Sequence, residues 1–249
     1  MALCDAGTVN DDQESVPNVR ATKGHEDMNI ATATRRDQDI QTAVQDELEW
    51  TPEVDAAGIG VAVDDTVVTL SGEVQSFTAR IAAKHSALRV RGVTAIVDQM
   101  SVHPSWSASV SETDIAKEVE HALRGVSNVP DTVKAEIKGH DVILTGLVMW
   151  DFQRRAAQRV VQHLKGVNHV SNLIALTPRV SAPDTEKRIR NAITRNAQLD
   201  ANAITVATSG NKVILTGTVR SWAEKREAQR AAWASPHVSD VDDRISLQF

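Results

Sequence analysis

The chain has a single cysteine, Cys4, in a polar stretch near its start, so an internal disulfide framework is excluded and a reducing compartment fits. No apolar run approaches the roughly 20 residues that a membrane-spanning helix needs. The opening Met1-Ala2-Leu3-Cys4-Asp5-Ala6-Gly7 lacks a basic region followed by an apolar stretch. That predicts a cytoplasmic protein, peripheral at the inner membrane if it meets lipid; a true start lying upstream would place it in the periplasm instead. The eight histidines form no His-Glu-x-x-His pattern and no His/Cys cluster at ligand spacing, so no metal is expected. A serine nucleophile elbow, a phosphate loop and a dinucleotide fingerprint are all missing, which predicts no enzyme and no cofactor. With a net charge of −6 the chain lacks the broad basic stripe of a nucleic-acid binder.

What the chain does have is one pattern, three times. Val68-Thr69-Leu70-Ser71-Gly72-Glu73-Val74 returns as Val142 to Val148 and as Val213 to Val219, with glycines at 72, 146 and 217. Counted from each glycine, position +11 is Ala83, Ala157 and Ala228, +21 is Val93, Val167 and Val238, and +26 is Asp98, Asn172 and Asp243. An ungapped register of this length marks tandem copies of one unit rather than one large fold. Units of about 65 residues bury only about 60% of their unfolded surface, so contacts between neighbours are expected to add stability.

The division that follows is a disordered N-terminal tail over 1–36, repeat 1 over 37–103, a linker over 104–111, repeat 2 over 112–177, a Pro-bearing linker over 178–183, and repeat 3 over 184–249. Within a repeat the periods change in a fixed order. Ile40, Val44 and Leu48 stand four apart, as do Ile115, Val119 and Leu123, and Ile189 and Ile193, which marks an amphipathic first helix. An alternating run such as Ile59-x-Val61-x-Val63 follows, then a polar break at Asp64-Asp65-Thr66, Gly139-His140-Asp141 or Gly210-Asn211-Lys212, then the glycine strand: a hairpin. A second helix starts after Ser76, Asp151 or Ser221 as cap, and a last strand holds Met100 and Val102 or their equivalents. The fold class is therefore α+β: three tandem two-layer αββαβ sandwiches, each a three-stranded sheet covered by two helices.

Side-chain parity puts Gly72, Gly146 and Gly217 on the strand face that meets the helices. There a glycine allows a helix or a crossing backbone to approach closely, a structural role. The recurring +26 residue includes an amide, Asn172, which a required acid or base could not be, so a turn or cap role is expected.

The element order, the Val-x-Leu-[Ser/Thr]-Gly-x-Val strand and the later Gly-Val-x-x-[Ile/Val]-x-[Asp/Asn] segment (Gly92 to Asp98, Gly166 to Asn172) resemble the BON domain, the module of bacterial osmotically inducible and nodulation proteins. Repeat 3 departs from it, with Ser235-Pro236-His237 in place of the small-residue turn. The resemblance implies a non-enzymatic module of stress-induced and envelope proteins that binds phospholipid or attaches proteins to membranes.

Charge placement can be read beside that. Between Asp39 and Asp65 stand eight acidic residues and no Lys or Arg, whereas the second helices of repeats 1 and 2 are basic, that of repeat 3 is nearly balanced, and each opens on an aromatic. Phe77, Arg80 and Lys84 lie there in repeat 1, Trp150, Arg154, Arg155 and Arg159 in repeat 2, and Trp222, Lys225 and Arg226 in repeat 3. Tryptophan beside arginine suits the headgroup boundary of an anionic phospholipid surface, where each basic residue adds about 1 kcal/mol. The same residues suit a solvated helix face with an aromatic staple packed on its own core. Lys187, Arg188, Arg190 and Arg195 in repeat 3 oppose Asp46, Glu47 and Glu49 in repeat 1, so head-to-tail association, within a chain or as a homo-oligomer, is a further expectation, as is a cytoplasmic protein partner.

Overall fold

The computed structural model describes residues 20–103, 110–179, 184–196 and 203–248, with side chains from Arg35 onward. Repeat 1 comprises α1 (Arg20–Glu49), β1 (Ile59–Asp64), β2 (Val67–Val74), α2 (Phe77–Ala87) and β3 (Ala95–Val102). Repeat 2 comprises α3 (Glu112–Arg124), β4 (Lys134–Lys138), β5 (Asp141–Thr145), β6 (Leu147–Val148), α4 (Asp151–Gln162), β7 (His169–Asn172) and β8 (Ala175–Leu176). Repeat 3 comprises α5 (Thr185–Thr194), β9 (Ile204–Ser209), β10 (Lys212–Val219), α6 (Trp222–Trp233) and β11 (Asp240–Leu247).

Each repeat is the αββαβ unit of the α+β class that the periods imply. In every copy the glycine strand is central, antiparallel to the strand before it and parallel to the one after the second helix. The hairpins close through the two-residue turns Asp65-Thr66, Gly139-His140 and Gly210-Asn211. Asp65 and Thr66 hold positive φ of 45° and 65°, and the carboxylate of Asp37 on α1 accepts both of their backbone N–H groups at 3.0 Å. Ile40, Val44 and Leu48, Ile115, Val119 and Leu123, and Ile189 and Ile193 are all buried, as the four-residue spacing requires.

Two readings need correction. Part of the expected disordered tail is helix: α1 begins at Arg20, and only residues 1–19 lie outside the described structure. Once Ile40, Val44 and Leu48 fix the helix on the sheet, extending it N-terminally adds one bond per residue and needs no apolar period, so periodicity could not announce it. In the linkers, residues 104–109 and 180–183 also lie outside the described structure. The second correction concerns α4, whose cap is Trp150 rather than Asp151; Gln153 Oε1 instead accepts the N–H groups of Met149 and Trp150 at 3.0 and 3.1 Å. Repeat 2 also splits its last two strands, giving β5 with β7 and a separate short pair, β6 with β8.

The structure also decides which of the two expected neighbours approaches the glycines. All three have positive φ, 110°, 130° and 129° at Gly72, Gly146 and Gly217. A Cβ at any of them would overlap a backbone carbonyl oxygen just before the first strand, that of Gly58, Thr132 or Ala203. The close neighbour is therefore a crossing backbone, not a helix, and the fully buried Ala83, Ala157 and Ala228 belong to the helix packing separately.

The repeats share their cores. Phe77 and Ile81 of α2 pack in the hydrophobic cluster of repeat 2, where the Phe77 ring meets His169 edge-on at 5.5 Å. Trp233, at the end of α6, packs against the clusters of both repeat 2 and repeat 3. Repeat 3 returns to repeat 1 through the Trp222 indole N–H, which donates to the Val93 carbonyl at 3.0 Å across 129 positions of sequence. The start of each second helix thus meets the far end of the second-helix region of another repeat, and the three joints close a ring.

Gly217→Ala is expected to cost about 2–3 kcal/mol, since it adds both backbone strain and a carbonyl clash. Gly210→Ala, at φ 62° with open space around it, is expected to cost about 1 kcal/mol. Urea midpoints of the two variants check the difference; equal midpoints would remove the clash as the reason for the glycine.

Candidate functional site

The basic residues of the second helices divide by partner, and the divider is position +26. In repeat 1, Asp98 on β3 accepts from Arg80 Nε at 3.1 and 3.0 Å and from Lys84 at 3.0 Å. It also takes the Met100 N–H at 3.2 Å. In repeat 3, Asp243 pairs with Lys225 at 3.2 Å, accepts from Gln229 at 2.6 Å and takes the Ile245 N–H at 3.0 Å. These are the same three positions, +8, +12 and +28, meeting the same carboxylate. Position +26 is therefore a latch from the last strand to the second helix, not the turn or cap that its recurrence suggested.

Repeat 2 carries an amide there, and the consequence is local and electrostatic. Asn172 still accepts the Ile174 N–H, at 3.3 Å, but its Nδ2 donates to the Arg154 carbonyl at 3.0 Å and to Gln158 at 3.1 Å. With no carboxylate to hold it, the Arg154 guanidinium turns to Asp151 and lies 4.6 Å over the Trp233 ring of repeat 3, a cation–π contact across a joint. Asp151 is only 4% exposed and is paired by both Arg154 and Arg155, the latter at 2.6 Å.

Each residue expected to face lipid can now be placed. Phe77 is buried in repeat 2, so it faces no surface. Arg80 and Lys84 are committed to Asp98, and Lys225 to Asp243 and to the Ile245 carbonyl at 2.6 Å. Trp222 serves the joint with repeat 1, with the Lys225 ammonium 5.5 Å from its ring centre. Arg154 and Arg155 hold Asp151. Arg159 and Arg226 are exposed. Trp150 is half-buried, stacked with Phe152 at 6.2 Å, and the Arg179 guanidinium lies 4.3 Å from its ring centre. The opposed first-helix charges do not meet either: Glu47 pairs with Arg89 at 2.6 Å, Arg188 with Asp184 at 3.2 Å and Arg190 with Glu186 at 2.7 Å.

What the sequence reading missed is an apolar surface confined to repeat 2. Among the described residues the exposed large hydrophobics are Trp50, Val97, Leu147, Met149, Phe152 and Leu173, and the last four belong to this one repeat. Leu147 on β6 pairs with Ala175 on β8, and the Leu173 N–H donates to the Leu144 carbonyl, so Leu173, in the break between β7 and β8, lies diagonally across from Leu147. Met149 and Phe152 continue from β6 into the start of α4, beside Trp150. The same four positions hold Glu73, Gln75, Thr78 and Gln99 in repeat 1, and Thr218, Arg220, Ala223 and Arg244 in repeat 3. That contrast is visible in the aligned repeats, and it was the available signal. Arg155 and Arg159 lie on the following turns of α4. Among the described residues no group of three or more His, Cys, Asp or Glu could hold a metal ion, and no helix is long and apolar enough to cross a membrane.

Comparison with known proteins agrees with the repeat boundaries of the fold at the level of the family. The family model described as BON domain matches residues 36–104, 111–178 and 181–248. The osmotically inducible protein Y of Escherichia coli (strain K12) is 32% identical over 124 residues, which is 48% of this chain and 62% of that protein. The match therefore spans under two thirds of that relative. CdsD, a structural protein of the type III secretion system of Chlamydia trachomatis, aligns over 84% of this chain and 92% of its own at 11% identity, with a TM-score of 0.24. Its C-terminal domain aligns over 84% and 96% at 10% identity, with a TM-score of 0.25.

The Asp98 latch has a pH consequence. Burial by itself would raise this carboxyl, but the hydrogen bonds from Lys84 and Arg80, the Lys84 charge and the Met100 N–H together hold it below its ordinary value. A carboxyl held low contributes stability above the ordinary aspartate range, about 3.9, and loses that contribution as pH falls through the folded value. Asp98→Asn, which copies repeat 2, is expected to cost about 1–2 kcal/mol at pH 7. The deficit is expected to shrink below about pH 4 as wild type loses the charge too. Chemical unfolding at both pH values measures it, and a pH-independent deficit would contradict the ionic latch.

Proposed function

The chain belongs to the BON domain family, with three copies in tandem, and on that premise we propose that it is a stress-related, non-catalytic protein that binds anionic phospholipid at a membrane surface through repeat 2. The observation that carries this reading is the exposed Leu147, Met149, Phe152 and Leu173, beside Trp150 and close to Arg155 and Arg159. Exposed apolar side chains with an aromatic ring and basic neighbours fit the headgroup boundary, where apolar insertion and charge act together. The stress association rests on the likeness to a protein named for osmotic induction.

The geometry moves the proposed lipid face. Phe77, Arg80, Lys84, Trp222 and Lys225 are taken up by joints and latches, so the candidates reduce to repeat 2 and the exposed Arg226. The ring also gives the alternative a specific footing: the repeats already dock on one another, and the same apolar surface could seat a protein partner or a second copy. The lipid reading requires an anionic leaflet on whichever side of the inner membrane the chain resides.

Flotation with phosphatidylglycerol-containing vesicles tests it. Leu147→Glu/Phe152→Glu is expected to weaken binding tenfold or more, since each exposed side chain buries roughly 1 kcal/mol of apolar surface. Thr218→Glu/Ala223→Glu at the matching positions of repeat 3 is expected to leave it unchanged. Equal flotation by both pairs would sink the repeat 2 site, and a cross-linked protein partner without vesicle binding would establish the alternative.

A further inference from the structure

The joint between repeats 3 and 1 holds a partly open cleft of about 280 Å³, lined by Leu88, Arg89, Val90 and Arg91 just after α2 and by Arg220, Ser221 and Trp222 at the start of α6. Three guanidinium-bearing residues from two repeats line this one small space, and no carboxylate does. Two of the nearby acids are otherwise placed. Glu47 on α1 holds Arg89 at 2.6 Å, and the Glu224 carboxylate accepts the Arg220 backbone N–H at 2.9 Å. Asp39 lines an adjoining cavity with Arg36, to which Arg91 also contributes. Neither the Arg91 nor the Arg220 side chain has an acidic partner among the described residues.

Arg226 lies close enough to α2 to act on His85, whose imidazole is held below its ordinary value first by burial and then by Arg226, Lys84 and Arg89. Cations of both repeats, Lys84 and Arg89 of repeat 1 and Arg226 of repeat 3, thus act on this one imidazole. Closing like charge on like charge disfavours the joint, yet the Trp222 indole N–H reaches the Val93 carbonyl there. A bound anion reverses the sign of this interaction. Guanidinium forks match the oxygens of a phosphate group, and the volume lies just below the range of drug-sized pockets, which favours a small occupant.

We propose that this cleft binds a phosphate group, and that the bound group clamps repeat 3 onto repeat 1. The joints of repeat 1 with 2 and of 2 with 3 lie between repeats adjacent in sequence, whereas this third joint has no such connection. Any ligand that binds only the closed joint stabilises it by mass action.

The test uses the full chain. Inorganic phosphate, titrated at ionic strength held constant with chloride, is expected to raise the thermal midpoint saturably, and chloride alone is not. Arg91→Gln and Arg220→Gln are each expected to weaken the apparent affinity at least tenfold, while Arg124→Gln on α3 of repeat 2 leaves it unchanged. Circular dichroism confirms that each variant is folded. Phosphate acting no differently from chloride, or variants that respond as wild type does, would overturn the proposal. Vesicles identify the source of the phosphate: flotation on phosphatidylglycerol lost together with the phosphate response assigns a lipid headgroup, and flotation retained while that response is lost assigns a free anion. Leu147→Glu/Phe152→Glu, impaired in flotation, is expected to keep the phosphate response, so the two readings fail separately.

Discussion

A unit of about 65 residues closes a core of barely a dozen side chains, and that limit governs how the three copies are arranged. Each repeat has one amphipathic helix pinned by residues four apart and one second helix whose middle is alanine, Ala83, Ala157 or Ala228. Small residues let the second helix lie close to the sheet, while aromatic groups at its start, and in α6 also at its end, reach beyond the unit. The repeats enclose them for one another: Phe77 in repeat 2, Trp233 between repeats 2 and 3, and the Trp222 indole on repeat 1. Burying a side chain the size of phenylalanine is worth roughly 1.5–3 kcal/mol, a substantial part of what a domain this small can hold in reserve.

The latch at position +26 explains why equivalent residues behave differently. A carboxylate draws the basic residue at +8 inward, and the second helix then shows solvent a largely neutralised flank, as with Arg80 and Lys225. An amide satisfies the same backbone N–H yet cannot hold the cation, so Arg154 is available to Asp151 and Trp233. One atom's difference in the last strand thus redirects an arginine in a helix and supplies a contact between repeats.

The fold was legible because its signals are local. The four-residue spacing of Ile40, Val44 and Leu48, the alternation around Ile59 and the polar turns each act within a few residues, and they recur three times in register. The surface was much less legible. Periodicity states which helix face is polar but not what covers it, and Trp222 finds its partner at Val93, far away in sequence. Phe77 illustrates the same limit: beside an N-cap it reads as a staple or a lipid anchor, and a neighbouring repeat decides the matter. The apolar positions 147, 149, 152 and 173 are legible only by subtraction, since none is unusual until set against its counterparts in the other copies, which are polar apart from the small Ala223.

The carbonyl that crowds each central-strand glycine bears on how such a chain diverges after its unit has been triplicated. Every alternative at 72, 146 or 217 meets the same oxygen, so these sites stay frozen whatever each copy goes on to do. Positions one, three and six residues further on turn toward solvent and carry no such veto. A copy can therefore drift into a new surface within a few residues of its most rigid point, keeping its scaffold while its neighbours keep theirs, and repeat 2 has done so.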